Sequence, residues 1–144
     1  VAEALDQGAI LSLLCRAPAP AVKALADQIL PTLAQQGSLE VVHNRTGLVM
    51  LPYRDTVQGV LFHLGEALMA EGQVRQAGFT GYGACLGRDL EQALAVALLD
   101  LAVQQGVGLD KIQPFLAEES LRQQAEQDQL LRKVEATRVQ METF

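Results

Sequence analysis

The amino-acid sequence predicts an α+β fold: a small antiparallel β-sheet of about four strands in two hairpins, packed with N-terminal helices, a central apolar helix and a long C-terminal helix. Three observations lead there. Residues 10–33 carry apolar side chains at helical spacing. Residues 39–86 are rich in short β-branched and apolar runs separated by glycine and turn residues. Beyond Gly87 the pattern returns to helix, first apolar on nearly every face and then largely polar. With 144 residues, 49% of them hydrophobic and 19% charged, the chain can build one core and no second. Residues 1–144 are therefore read as a single α+β domain, with 118–144 as a C-terminal helical arm.

Each element has its own signal. Ile10, Leu11, Leu13 and Leu14 mark a first helix, and Val22, Leu25, Ala26, Ile29 and Leu33 a second. Pro18 and Pro20 separate them, because each proline fixes its own φ and drives its predecessor out of the helical region. Pro31 is expected to kink or end the second helix, with Gly37 at its C-terminal cap. Leu39–Val42 and Gly47–Leu51 read as two strands joined by a turn at Asn44-Arg45-Thr46-Gly47. Pro52 then breaks the run, and Asp55–Gly59 is a loop before Val60-Leu61-Phe62.

The segment Leu64–Gln76 has helix-favouring residues, but its pattern is that of a strand. Leu68, Ala70, Gly72 and Val74 alternate with Glu71, Gln73 and Arg75. Gly78 turns it into a second hairpin with Phe79–Leu86. The central helix follows, with Asp89 as N-cap, Gln92 where a capping box needs it, and Gly106 and Gly108 at its end. A helix apolar all round, as Ala93–Val103 is, must be covered on more than one side. A short stretch Lys111–Leu116 around Pro114 then leads to a polar helix from Glu118 to about Met141. Its thin stripe comprises Leu121, Ala125, Leu131, Val134 and Met141.

Composition excludes several classes. Seventeen acidic against eleven basic residues give a net charge of −6, which opposes binding to nucleic acid or an anionic membrane. Four Phe, two Tyr and no Trp provide little for stacking on bases. The longest apolar run, Ala93–Leu99, falls far short of a membrane span. Val1–Gln7 lacks the basic cluster of a secretory leader. Two cysteines, Cys15 and Cys85, suit a reducing cytoplasm and build no disulfide framework.

Candidate chemistry is sparse. Gly81-x-Gly83-x-x-x-Gly87-Arg88-Asp89 precedes a helix, and a helix N-terminus attracts anions, which makes Arg88 a weak anion-site candidate. The stretch lacks the Lys-Ser/Thr of a phosphate loop, and Asp89 puts a negative charge where the anion would sit, so a capped strand-to-helix turn is the simpler reading. His43, His63, Cys15, Cys85 and Glu66 do not have the spacing of a metal site. Cys85, near a helix start, is assigned no partner base, and buried inert cysteine is the common case. No catalytic residue, metal ligand or cofactor is therefore assigned to this chain. The end of the chain, 136–144, sets apolar residues at positions that usually fray, and so needs a surface to lie on. That surface is its own sheet, a partner subunit, or a second copy that exchanges arms. Thr137, Arg138, Val139, Met141 and Phe144 are the partner-interface candidates.

Four blocks taken in order carry a family resemblance: Thr46-Gly47-Leu48-Val49, Gly81-Tyr82-Gly83-Ala84-Cys85-Leu86-Gly87-Arg88-Asp89, Ala97-Leu98-Leu99-Asp100, and Ala136-Thr137-Arg138-Val139-Gln140-Met141-Glu142-Thr143-Phe144. The chain resembles the small G subunit family (PhnG) of the carbon–phosphorus lyase system over nearly its whole length. It departs at Met141 and Phe144, where that family is expected to carry Phe and Met. The resemblance implies an accessory subunit of a cytoplasmic complex. That complex transfers an alkylphosphonate to ribose C1 of ATP, releasing adenine and forming an alkylphosphonate ribose 5-triphosphate. ATP and the alkylphosphonate are then substrates of the assembly, companion subunits are the partners, and no catalytic residue carries over to this chain. Isolated, the chain is expected to form a homo-oligomer, with an arm-swapped dimer as one arrangement. The alternatives are a small phosphate- or nucleotide-binding domain that uses the Gly87-Arg88-Asp89 helix start, and a self-associating scaffold domain.

Overall fold

The computed structural model describes residues 6–139. Its elements are α1 (Gln7–Arg16), α2 (Ala19–Ala34), β1 (Glu40–Arg54), β2 (Leu61–Gln76), β3 (Phe79–Leu86), α3 (Leu90–Gln105) and α4 (Leu109–Ala136). The sheet is antiparallel with order β1-β2-β3. The class is the expected α+β, with three strands in place of about four, and two hairpins that share β2.

The difference lies in β1. Asn44-Arg45-Thr46-Gly47 is not a turn but the middle of one continuous 15-residue strand, paired in order with Gly72, Glu71, Ala70 and Met69. Their polarity reads as a turn, yet two of them find partners within the sheet: Arg45 Nε donates to Glu71 Oε1 at 2.7 Å, directly across the ladder. The Asn44 amide nitrogen, oriented by its surroundings, donates to the carbonyls of Glu71 (3.1 Å) and Leu90 (3.2 Å). The true turn is the expected loop at Asp55–Gly59. The Asp55 carboxylate accepts from Val57 N and Gln58 N, both at 3.1 Å, while Gly59 takes φ +68°. Pro52 does not end the strand; it sits at a bulge on the sheet edge, where the missing N–H costs little. The β2–β3 turn is Ala77-Gly78, both at positive φ, as a two-residue hairpin requires.

Helix α3 lies between the sheet and the α1–α2 pair, which is why it is apolar all round. Ala95, Val96, Leu99 and Ala102 join the main core with Leu14, Val22, Ile29, Leu33 and Ile112. Ala93, Ala97 and Leu101 face Ala70, Cys85 and Val74 of the strands. Asp89 caps α3 as expected, accepting from Gln92 N at 3.0 Å, and Gly106 closes it at φ +70°. Prolines do less than their reputation. Pro31 lies within the last turn of α2, which runs on to Ala34. Pro114 lies inside α4, which is one helix from Leu109 rather than a short stretch followed by a helix at Glu118.

Helix α4 docks through Ile112, Leu116 and Glu119, and Gln123 Nε2 donates to Leu13 O at 2.9 Å. Leu121, at the head of the expected stripe, is on the opposite side and exposed. At about 100° per residue, the docking face of Ile112, Leu116 and Gln123 continues through Leu130 and through Val134, which the expected stripe did include. From Gln124 onward every described residue of α4 is exposed, so the second half of the helix projects from the body. No helix among the described residues is long and apolar enough to cross a membrane.

Candidate functional site

Strand alternation gives the sheet one face covered by α3 and one face open. The open face carries a polar cluster centred on Glu71. Arg45 Nε donates to Glu71 Oε1 at 2.7 Å, Tyr82 OH donates to Oε2 at 3.1 Å, and His43 Nε2 stands 3.5 Å from Oε1. The hydrogen bond from Arg45 is the main cause holding the Glu71 carboxyl below its ordinary range, helped by Tyr82 and opposed by partial burial. Partial burial and the same carboxylate push the Tyr82 hydroxyl upward. Glu71 thus remains an anion whose oxygens are already shared among donors of its own sheet. The cluster floors a shallow depression walled by Gly47, Val49, Met69 and Ala84.

Around this cluster the open face is apolar and uncovered. The register places Val49, Leu51, Met69 and Leu86 on the same side as Glu71, and Leu86 is 73% exposed. On the opposite side, beyond the N-terminus of α3, Leu48 and Met50 continue the inward-facing row of Ala70, Gly72 and Val74 with nothing over them; Leu48 is 65% exposed. Towards the tip, Tyr53 and Phe62 pair edge to face at 5.6 Å. The β1–β2 ribbon is therefore a projecting arm that is largely apolar on both faces, with Glu66 opposite Met50 on the α3 side. A monomer normally keeps such contiguous surface small, and larger patches mark interaction sites.

The sequence-selected residues scatter rather than converge. Arg88 is exposed in the turn before α3, where its carbonyl accepts from Leu90 N. Beside it, the Asp89 carboxylate takes the helix N–H that an anion would use, and also accepts Lys23 Nζ at 2.9 Å. Gly81 and Gly83 do not form a cradle but lie under α3. A Cβ on Gly81 would meet Ala97 O and Leu101 Cβ, and one on Gly83 would meet Ala93 O, Ala97 N and Val96 Cβ. Cys85 is buried, and that burial, with Asp89 nearby, pushes its thiol upward, away from nucleophilic reactivity. Among the described residues, no three His, Cys, Asp or Glu side chains gather as a metal site would need. Thr137 caps α4 with its hydroxyl donating to Val134 O, Arg138 pairs with Glu135 at 3.2 Å, and Val139 is exposed. Met141 and Phe144 lie outside the described residues.

A family model described as "Phosphonate metabolism protein PhnG" matches residues 7–144, nearly the whole chain. The chain belongs to the PhnG family. This PhnG family member is thereby a protein of phosphonate metabolism, as the four ordered sequence blocks led one to expect. A comparison with curated proteins finds no match. Two features of the family member escaped sequence reasoning. The Glu71 cluster depends on the register of β1 against β2, which was hidden once Asn44–Gly47 read as a turn. Asp100, at 1% exposure, was counted among the family blocks but not as a polar centre. It accepts from Tyr82 N (2.9 Å), Gln104 Nε2 (3.0 Å) and Gln7 Nε2 (3.1 Å), locking β3 and α1 onto α3.

Proposed function

We propose that this chain is an accessory, non-catalytic subunit of the carbon–phosphorus lyase core complex. It supports the transfer in which an alkylphosphonate oxygen attacks ribose C1 of ATP and the C1–N bond to adenine breaks. The products are adenine and an alkylphosphonate ribose 5-triphosphate. The observation that carries the reading is the uncovered apolar surface of the open sheet face, Val49, Leu51, Met69 and Leu86 around the Glu71 cluster, in a member of the PhnG family. An apolar rim about a carboxylate already hydrogen-bonded within its own sheet suits a permanent contact with a companion chain, because only burial removes the cost of keeping such side chains in water. Thr137, Arg138 and Val139, at the free end of α4, extend the contact in the same reading.

Co-expression with the companion subunits tests it. The double variant Val49→Asp/Leu86→Asp, with unchanged circular dichroism and melting temperature, is expected to lose co-purification. Adenine release from ATP and methylphosphonate should then fall at least tenfold. Undiminished co-purification and full transfer activity of that variant would refute the assignment.

A further inference from the structure

The open face accounts for one side of the β1–β2 ribbon; the other side and the α4 arm remain without cover. We infer that two copies of this chain pair reciprocally, the projecting half of α4 from each lying on the α3-side face of the other's ribbon, over Leu48 and Met50.

Surface area is the first argument. The chain exposes 9870 Å², whereas a compact monomer of 15.5 kDa exposes roughly 7,200 Å². The excess, on the order of 2,500 Å² per chain, spans the open sheet face as well as the ribbon's other side and the α4 arm, and even half of it is what one partner contributes to a large obligate interface, which buries about 2,000–5,000 Å² over both. An ordinary surface contact would leave most of that excess in water.

Shape and pattern are the second. The projecting half of α4, residues 124–136, is about 19 Å long, and the ribbon from Thr46 to Arg54 is about 26 Å, so the arm fits along the ribbon. The face by which α4 docks on α1 continues past the body as Leu130 and Val134, 61% and 58% exposed, and their exposure shows that the arm does not lie on its own ribbon. The chain already packs helix on sheet in this way. Helix α3 covers the row Ala70–Gly72–Val74 and begins at Leu90, and the uncovered row of Leu48 and Met50 is the continuation of the same face.

Charge is the third. Residues 124–136 hold two bases (Arg132, Lys133) against three acids (Glu126, Asp128, Glu135). Residues 46–66 hold Arg54 against Asp55 and Glu66. Each arm therefore carries −1, which leaves −4 of the net −6 on the rest of the chain, so repulsion between the arms is weak. One donor arm and one acceptor face per chain close into a two-fold dimer with nothing left over.

Light scattering of the isolated full-length chain over a wide concentration range tests the pairing. The expected mass is twice 15.5 kDa. Leu130→Asp/Val134→Asp and, separately, Leu48→Asp/Met50→Asp are each expected to halve it while keeping native circular dichroism. Mixing the two variants should return dimer, because only the mixed pair retains one intact arm-on-ribbon junction; arm-to-arm or ribbon-to-ribbon pairing does not rescue in this way. A wild-type chain of monomer mass throughout, a dimer indifferent to either variant, or variants that fail to recombine would each overturn the inference. The readout is independent of companion docking, which depends on Val49 and Leu86 on the other face, so either reading can fail alone.

Discussion

Gly83→Ala adds one methyl group where α3 rests on β3. The added carbon would sit 2.9 Å from Val96 Cβ and closer still to Ala93 O and Ala97 N, whereas real Cβ contacts essentially never fall below 3.0 Å. Two of these atoms are helix backbone, so no side chain can rotate out of the way, and α3 must lift by on the order of 1 Å. A gap of that size forfeits a quarter to a half of each dispersion contact along the helix–sheet seam. The cost is at least about 3 kcal/mol, at the upper end of overpacking. For a domain of this size that lowers the melting temperature by roughly 10 °C. Gly47→Ala makes the same chemical change on β1, where nothing lies within 4 Å, and should shift stability by no more than about 0.5 kcal/mol. Gly72→Ala, whose nearest neighbours are at 3.2–3.3 Å, belongs between them, near 1 kcal/mol. Urea unfolding of the three variants decides the matter. Equal midpoints for Gly83→Ala and Gly47→Ala would show that α3 does not rest on glycine backbone.

Three other outcomes are expected. Asp100→Ala removes the buried acceptor of the Tyr82 N–H, while the exposed amides of Gln7 and Gln104 can turn to water, and should cost about 2 kcal/mol in urea unfolding; Asp100→Asn, which keeps an acceptor, costs less, and equal losses would contradict the role given to the carboxylate. Because the folded state holds Glu71 below its unfolded value of about 4.5, its stabilising contribution is complete above that pH and lost as the pH falls through the folded value. The stability difference between wild type and Arg45→Leu should therefore shrink from pH 7 to pH 3, and a constant difference would refute the pairing. Ala77→Asn relieves a positive φ of 50° in the β2–β3 turn and should stabilise by about 0.5–1 kcal/mol, read as a higher melting temperature.

Much of the fold was legible because local chemistry forces it. Pro18 and Pro20 separate α1 from α2, Asp89 and Gly106 bracket α3, and the alternation from Leu68 to Val74 makes a strand despite helix-favouring residues. None of these depends on distant parts of the chain. The all-apolar pattern of Ala93–Val103 likewise required cover on both sides, and the sheet and the helix pair supply it. Family membership was legible for the same reason, through short blocks in a fixed order.

What failed to read were the places where a distant partner changes the meaning of a residue. Asn44, Arg45 and Thr46 look like a turn until Gly72, Glu71 and Ala70 stand opposite them, and then they are the middle of a strand. Gly81 and Gly83 read as part of a capped strand-to-helix turn, which stands, but only the close approach of α3 shows why both lack a side chain. Leu121 and Ala125 fit a stripe on helical spacing, but the position of α1 selects the face of Leu116 and Leu130, which keeps only Val134 of the stripe's described members. The sequence by itself determined where most helices and strands lie, since dihedral limits and apolar periodicity act over a few residues. Only the tertiary structure decided the strand register, the meeting of Arg45 with Glu71 and the exposure of the apolar ribbon and the α4 arm, because each depends on which surfaces the rest of the chain reaches and which it leaves in water.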